Sequence, residues 1–128
     1  MQRFARCLAG AFLAALAFAA PAFADALDDI KKRGTLLIGL EGTYPPFNYV
    51  DEKGVLVGFE VDIANALAEK LGLKPDFQPG KWDSLLASLD VKRIDAVINQ
   101  VTVTPEREQK YTFSEPYTIS GIQILTRS

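Results

Sequence analysis

The sequence has 128 residues, a formal net charge of −2, no histidine and a single cysteine, Cys7. Histidine metal sites and nucleophiles paired with histidine are therefore excluded. The mildly acidic balance, with no run of bases, argues against nucleic acid as a partner. From these counts we expect neither a cofactor nor a bound metal.

The first 24 residues differ from the rest of the chain. Arg3 and Arg6 precede an apolar run from Leu8 to Ala20, and an Ala-x-Ala motif ends at Ala24. This order of a basic region, an apolar region and small residues is typical of a secretory signal peptide. A membrane span needs about 20 uninterrupted apolar residues. We therefore predict a signal peptide over residues 1–24, cleavage after Ala24 and export to the periplasm.

Residues 25–128 alternate between apolar strands and amphipathic helices. The run TLLIGL at 35–40 is apolar throughout, which indicates a strand covered on both faces. The order strand, helix, strand, helix, strand is typical of an α/β fold with a parallel sheet. We predict helices over 26–33, 60–71, 82–89 and from 105, strands over 35–40, 73–78, 94–98 and 119–126, and a hairpin over 48–59.

Polar and aromatic residues follow three of the predicted strands. These segments are Glu41 to Tyr44, Gly80 to Trp82, and Asn99 to Thr104. In an open α/β sheet, ligands bind beyond the carboxyl ends of the strands. The sequence therefore predicts a binding site formed by these three segments.

Arg107 lies in the first turn of the helix predicted from Pro105, with Thr104 as its N-cap. Such a helix start offers free backbone N–H groups to an anion. The helix dipole disfavours a cation there unless it meets an anion, and a guanidinium suits a carboxylate. Pairing of Arg107 with Glu106 or Glu108 remains an alternative.

Tyr44, Trp82 and Glu41 each allow two interpretations. The two aromatic rings can form walls around a ligand side chain, or they can be ordinary core or rim residues. The carboxylate of Glu41 can receive an ammonium group, or it can face solvent. Spacing alone leaves these alternatives open, and no carboxylate pair has the surroundings of a general acid and base.

Four motifs occur along the chain: GTYPPF at 42–47, GFEVDI at 58–63, TVTPER at 102–107 and FSEPY at 113–117. Together they resemble family 3 of the bacterial extracellular solute-binding proteins, which serve polar amino acid ABC importers. The resemblance covers residues 25–128, and the segments around Glu41, Asn99 and Tyr117 are similar to those of the cystine-binding members. Gln100 stands where many relatives have glycine.

The resemblance implies a role for each candidate residue. Arg107 and Thr102 would hold the α-carboxylate of an amino acid, and the main chain near Gln100 would accept from its ammonium group. Tyr44 and Trp82 would enclose the side chain. Glu41 would contribute to specificity.

The resemblance also implies a type II periplasmic binding fold, in which two α/β lobes close over the ligand. We expect residues 25–128 to be the first lobe, truncated near the hinge strand, with the second lobe absent. Such a lobe would bind weakly by itself, if at all, because half of the cleft is absent. The complete protein would be a non-enzymatic monomer that delivers a small polar amino acid, cystine above others, to the membrane permease of an ABC importer.

Three alternatives remain open from the sequence. The same lobe occurs in the exported sensing domains of receptors and histidine kinases, and a few proteins with this fold are periplasmic dehydratases. The third alternative is a self-sufficient small α/β domain with an unrelated ligand. It requires the predicted strand over 119–126 to lie protected within the sheet.

Overall fold

The computed structural model describes residues 26–121, 124, 126 and 127, so the predicted signal peptide lies outside the described residues. No helix in the described part of the chain is long and apolar enough to cross a membrane. The helices are α1 (Ala26–Arg33), α2 (Phe59–Leu71), α3 (Trp82–Asp90) and α4 (Pro105–Glu108), and the strands are β1 (Thr35–Leu40), β2 (Thr43–Tyr44), β3 (Asn48–Val50), β4 (Leu56–Val57), β5 (Lys74–Pro79) and β6 (Ala96–Val97).

The central sheet has the order β5-β1-β6, and all three strands are parallel. The predicted α/β class is therefore confirmed. β1 pairs with β5 along its whole length, from Thr35 opposite Lys74 to Leu40 opposite Pro79. Its pairing with β6 covers only Ile38 opposite Ala96 and Gly39 opposite Val97. All three strands run in one direction, so their carboxyl ends share one edge.

Helices cover both faces of β1. On one face, Leu36 and Ile38 form a buried cluster with Ala64 and Ala68 of α2. On the other face, a Cβ added at Gly39 would lie 3.3 Å from Leu85 of α3. Burial of an aliphatic side chain such as Ile38 contributes about 1.5–3 kcal/mol. The two-sided burial explains why β1 is apolar throughout.

A second, antiparallel sheet joins β2, β3 and β4. The β3–β4 connection is organised by Asp51, whose side-chain Oδ1 accepts from the N–H groups of Lys53 and Val55 at 2.9 and 2.8 Å. The predicted hairpin over 48–59 is therefore confirmed. The sequence analysis missed β2, which is only two residues long.

A cluster of buried polar side chains links the small sheet to the ends of the parallel strands. Glu60 and Asn48 are 0% exposed, and Asn99 is 3% exposed. The Nδ2 group of Asn48 donates to Glu60 Oε2 at 2.5 Å and to Asn99 Oδ1 at 3.0 Å. Its Oδ1 accepts from the backbone N–H of Gly42 at 2.7 Å. Each of these buried groups has a partner, which removes the cost of leaving it unpaired.

The other oxygen of Glu60 fixes two later parts of the chain. Oε1 accepts from the backbone N–H of Gln100 at 2.6 Å, from Gln100 Nε2 at 3.2 Å and from the Tyr117 hydroxyl at 2.6 Å. Gln100 has a φ of 49°, a left-handed conformation that costs a non-glycine residue about 1–3 kcal/mol. Hydrogen bonds to a charged group contribute about 1.5–3 kcal/mol each. The two bonds from Gln100 therefore outweigh the strain of its backbone.

Two predicted strands differ from the structure. The strand predicted over 94–98 pairs only at Ala96 and Val97, although hydrogen bonds from Asp95 N to Leu37 O and from Ile98 N to Gly39 O continue beside it. The strand predicted over 119–126 is wrong for residues 119–121, 124 and 126, which form no strand. Ile119 and Ile124 are 96% and 86% exposed, and the remaining three positions lie outside the described residues.

Replacement of Gly58 by alanine is expected to destabilise the chain by roughly 3 kcal/mol or more. The φ of Gly58 is 128°, and an added Cβ would lie 2.3 Å from the carbonyl oxygen of Phe47. This oxygen is a backbone atom and has little freedom to move. Urea unfolding measures this loss. Gly54→Ala is the matched control, because its φ is 77° but nothing lies within 4 Å of its added Cβ. It should cost only about 1 kcal/mol. Equal losses in the two variants would contradict the predicted clash.

Tyr117 is expected to keep its proton at pH values where an ordinary tyrosine ionises. Partial burial and then the hydrogen bond to Glu60 and its negative charge raise the pKa of Tyr117 above the usual 10.0. A raised folded-state pKa gives stability that is fully present below the unfolded-state pKa and is lost as pH rises through the folded value. The absorbance of tyrosinate, titrated in the wild type and in Tyr117→Phe, isolates this group by difference.

The difference signal should be absent near pH 10 in the folded chain and should appear only at higher pH. The same pair of proteins titrated in denaturant is the control, and there the signal should appear at about pH 10. A difference signal at the ordinary pH in the folded chain would show that the bond from Tyr117 to Glu60 contributes nothing.

Candidate functional site

The carboxyl ends of the parallel strands meet at a small cavity. Its volume is about 170 Å³, and it is lined by Glu41 after β1, Tyr44 of β2, Trp82 at the start of α3, and Asn99 and Gln100 after β6. Four of the six candidate residues predicted from the sequence therefore lie together. The arrangement follows from the parallel sheet, which brings segments distant in sequence to one edge.

Arg107 joins this cavity through Trp82. Its guanidinium carbon lies 5.5 Å from the centre of the Trp82 ring, within the range of a cation–π contact. Its Nη1 donates to the carbonyl oxygen of Thr102 at 2.8 Å. Thr102 thus meets Arg107 through its main chain. All six predicted residues are connected by lining the same cavity or by these two contacts.

The alternative partners of Arg107 are not used. Among the described residues, no carboxylate lies within the 4.0 Å of an ion pair from its guanidinium, including Glu106 and Glu108. An arginine that stacks on an indole ring, and forms no ion pair, presents its remaining N–H groups to the surroundings. The side chain is therefore available to an anion.

The backbone N–H groups at the start of α4 are less available than the sequence analysis expected. Thr104 Oγ1 accepts from Arg107 N at 3.3 Å, and Thr104 O accepts from Glu108 N at 2.9 Å. The Glu106 carboxylate accepts from its own N–H group and then from the Thr104 hydroxyl, and both bonds lower the pKa of Glu106. Pro105 has no N–H group. The helix start caps itself, and the Arg107 side chain is left as the group that attracts an anion.

Asn99 orients Glu41. Its Oδ1 accepts from the backbone N–H of Glu41 at 2.8 Å, and its Nδ2 donates to Glu41 Oε2 at 3.0 Å. One asparagine thus holds both the main chain and the carboxylate of the same residue. The sequence analysis missed this role, for which the available signal was an asparagine directly after an apolar strand.

A wider groove lies beside the small cavity and shares Glu41 and Trp82 with it. Its volume is about 540 Å³, and its other lining residues include Thr43, Lys81 and Asp83. Lys81 and Asp83 flank Trp82 in the sequence, but the sequence analysis did not single them out. The groove adds one cation and one anion to the edge of the sheet.

The aromatic walls are partly exposed. The ring of Tyr44 packs on Phe47 with centroids 5.2 Å apart and an angle of 49°, and 44% of Tyr44 remains exposed. Trp82 is half-buried and carries Arg107 on its ring. Both rings therefore keep surface that lines the cavity.

Within residues 26–121, 124, 126 and 127, no three side chains of the histidine, cysteine, aspartate or glutamate type lie close enough to hold one metal ion. The side chains at the edge are a guanidinium, an ammonium group, carboxylates, amides and aromatic rings.

Comparisons with known proteins agree with this chemistry. The L-cystine-binding protein TcyJ of Escherichia coli (strain K12) is 60% identical over 101 residues, which are 79% of this chain and 38% of that protein. The arginine-bound form of domain 1 from TmArgBP, as a Phe57Trp mutant, superposes with a TM-score of 0.71 at 46% identity, covering 73% of this chain and 72% of that one.

An ancestral cyclohexadienyl dehydratase, AncCDT-3(P188L), also superposes, with a TM-score of 0.69 at 45% identity over 73% of this chain and 39% of that one. The chain thus spans less than half the length of TcyJ. The family model of the bacterial extracellular solute-binding proteins, family 3, matches residues 36–128. With that match and these relatives, the chain belongs to the bacterial extracellular solute-binding proteins of family 3.

Proposed function

We propose that the chain forms one lobe of the periplasmic solute-binding component of an amino acid ABC importer, and that its ligand is L-cystine. The observation that carries the proposal is Arg107, which stacks on Trp82 at the edge of a cavity that contains Glu41 and has no carboxylate within 4.0 Å of its guanidinium among the described residues. A cation and an anion at one edge suit the carboxylate and ammonium groups of an amino acid.

The α-carboxylate of the ligand would lie on Arg107. The cation–π contact with Trp82 and the bond to the Thr102 carbonyl restrict the guanidinium before a ligand arrives. A restricted side chain loses less freedom on binding, which strengthens the interaction. The exposed Thr102 hydroxyl is a further donor for the same carboxylate.

The ammonium group of the ligand would lie between Glu41 and the main chain near Gln100. Glu41 supplies a carboxylate already held by Asn99, and Gln100 lines the same cavity. Tyr44 and Trp82 would enclose the aliphatic and sulfur atoms, for which partly exposed aromatic rings are suitable partners.

The wider groove supports cystine over amino acids that have a single zwitterionic head, meaning one α-ammonium group with one α-carboxylate. Cystine has two zwitterionic heads, with α-carbons about 5.5–6 Å apart across the disulfide. The groove and the cavity share Glu41 and Trp82, so a ligand lying over Trp82 reaches both. Lys81 and Asp83 offer opposite charges to a second head. The similarity to TcyJ, named as an L-cystine-binding protein, supports the same ligand.

Binding rather than catalysis is supported by the relatives. TcyJ is named as a binding protein and the matching family is one of solute-binding proteins, although an ancestral dehydratase shares the fold. We propose export with cleavage after Ala24, the membrane permease of an ABC importer as partner, and a monomeric complete protein.

One lobe can hold an amino acid without its partner lobe, since domain 1 of TmArgBP was crystallised in an arginine-bound form. We expect the present chain to bind L-cystine with a Kd above about 1 μM, because one wall supplies only part of the contacts. Trp82 is the only tryptophan in the sequence, so its fluorescence reports binding directly.

Arg107→Met should weaken binding at least tenfold, by roughly 1.4 kcal/mol or more, because it removes the cation proposed to hold the α-carboxylate.

Arg93→Met is the matched control, because Arg93 is an exposed arginine in the turn after α3 and lines neither cavity. It should leave the Kd unchanged. Submicromolar affinity would contradict the view of the chain as one wall of a closing site. If neither cystine nor any other amino acid changes the fluorescence, the proposed function is wrong.

Lys81→Met is expected to weaken binding of L-cystine roughly two- to fivefold, the range of an exposed ion pair. The reason is that the variant removes the cation proposed to meet the distal carboxylate. Binding of S-methylthio-L-cysteine, which has the disulfide but no second head, should stay the same. Lys53→Met, at the exposed tip of the hairpin, is the control for loss of a lysine. Equal losses for both ligands would show that Lys81 does not meet the second head.

A further inference from the structure

Glu60 is a buried carboxylate that the proposed binding site does not use. It is 0% exposed and lines neither the small cavity nor the wider groove. Its two oxygens accept four hydrogen bonds, from Asn48 Nδ2, Gln100 N, Gln100 Nε2 and the Tyr117 hydroxyl. A carboxylate so occupied and enclosed does not touch a ligand in the cavity, so any effect it has on binding passes through its partners.

We propose that Glu60 is a positioning residue for ligand binding, which holds the backbone of Gln100 in the left-handed conformation in which Gln100 lines the cavity. This inference rests on the proposed function, because its effect is on the binding of the amino acid. The role concerns the main chain of Gln100, which is the part proposed to meet the ammonium group.

The geometry at Gln100 carries the inference. Both its backbone N–H and its side-chain Nε2 donate to the same oxygen of Glu60, at 2.6 and 3.2 Å. Two donors of one residue on one acceptor fix the peptide and the side chain together. The φ of 49° is one that a residue with a Cβ rarely adopts, so the conformation needs a specific partner.

The side chain of Gln100 is also held from its other end. Its Oε1 accepts from the hydroxyl of Thr118 at 3.0 Å, while the neighbouring Tyr117 donates to Glu60. The amide group thus has partners for both its donor and its acceptor. The side chain is occupied within the protein, and the main chain is what Gln100 can offer to a ligand.

A second path from Glu60 reaches the cavity through two asparagines. Asn48 bonds both Glu60 and Asn99, and Asn99 holds the carboxylate and main chain of Glu41. This path is not needed for the effect at Gln100. Because of this path, we expect part of any loss of affinity in a Glu60 variant to come through Glu41. The contribution through Glu41 remains when Gln100 is replaced, whereas the contribution through Gln100 does not.

The test is a double-mutant cycle with Glu60→Gln and Gln100→Gly, with L-cystine as the ligand and Trp82 fluorescence as the readout. Glu60→Gln keeps the size of the side chain but replaces one acceptor oxygen by a donor, so it should weaken cystine binding about tenfold. In the Q100G background the same change should cost no more than about twofold, because glycine adopts positive φ without assistance. Coupling of this kind shows that two residues act through each other.

Measuring stability beside affinity distinguishes positioning from a merely structural role, because a structural role would lower both quantities together. Urea unfolding should show that E60Q lowers the midpoint in both backgrounds, since either the oxygen that accepts from Asn48 or the oxygen that accepts from Tyr117 becomes a donor in each. E60Q would then lower stability in both backgrounds but lower affinity substantially only where Gln100 is present. Glu69→Gln is the matched control, an exposed glutamate on the same helix α2, and should change neither quantity.

Three results would overturn the inference, and two of them come from the cycle: a folded E60Q chain that binds cystine as tightly as the wild type, or an equal loss of affinity in both backgrounds. If E60Q does not fold, Glu60→Asp, which keeps the charge and withdraws it by one methylene, goes through the same cycle. Hydrogen exchange of the Gln100 amide in wild type and variant measures the positioning without ligand, and unchanged exchange also overturns it. Absence of cystine binding by the folded wild type contradicts the proposed function instead.

Discussion

The buried carboxylate of Glu60 is the interaction on which the arrangement of this edge depends. It lies in the first turn of α2, where the helix dipole favours a negative charge. Its partners come from three other segments, around Asn48, Gln100 and Tyr117, which are far apart in the sequence. One charged group thus fixes the small sheet, the end of β6 and the later part of the chain against the same helix. An apolar residue at this position would leave four donors unpaired.

The parallel sheet supplies the rest of the site. β1, β5 and β6 end at one edge, and each is followed by a residue that lines the cavity: Glu41, Trp82 and Gln100 respectively. α4 then places Arg107 over Trp82, at the side of the cavity. The fold determines where these side chains meet, and the polar cluster determines their orientation. Tyr44, Trp82 and Arg107 therefore lie on a strand or a helix, and the loop residues Glu41 and Gln100 are held by hydrogen bonds to Asn99 and Glu60.

Much of this arrangement could be predicted from the sequence because it depends on local patterns and one topological rule. Apolar β1, the helical spacing of α2 with its left-handed cap at Gly72, and the threonine and proline that begin α4 each produced the expected element. The strand-end rule then grouped Glu41, Tyr44, Trp82 and Gln100 correctly.

The remainder could not be predicted because it depends on contacts between distant segments. Glu60 belongs to the motif GFEVDI, but a glutamate near a helix start resembles a solvated acid, and only the structure shows Asn48, Gln100 and Tyr117 around it. The strand predicted over 119–126 failed for its described residues for the same reason. Apolar residues form a strand only where another strand accepts their backbone groups, and Ile119 has no such cover.

The attachment of Tyr117 and Thr118 has a consequence for the thermodynamics of the edge. Tyr117 is fastened to Glu60 and Thr118 to the side chain of Gln100, so the segment cannot leave without releasing groups that hold the cavity in shape. Linkage is reciprocal: whatever factor the attached segment adds to the affinity for a ligand, the bound ligand adds to the attachment of the segment. Ligand binding in the cavity and the attachment of the segment with Tyr117 and Thr118 are therefore coupled through the carboxylate of Glu60.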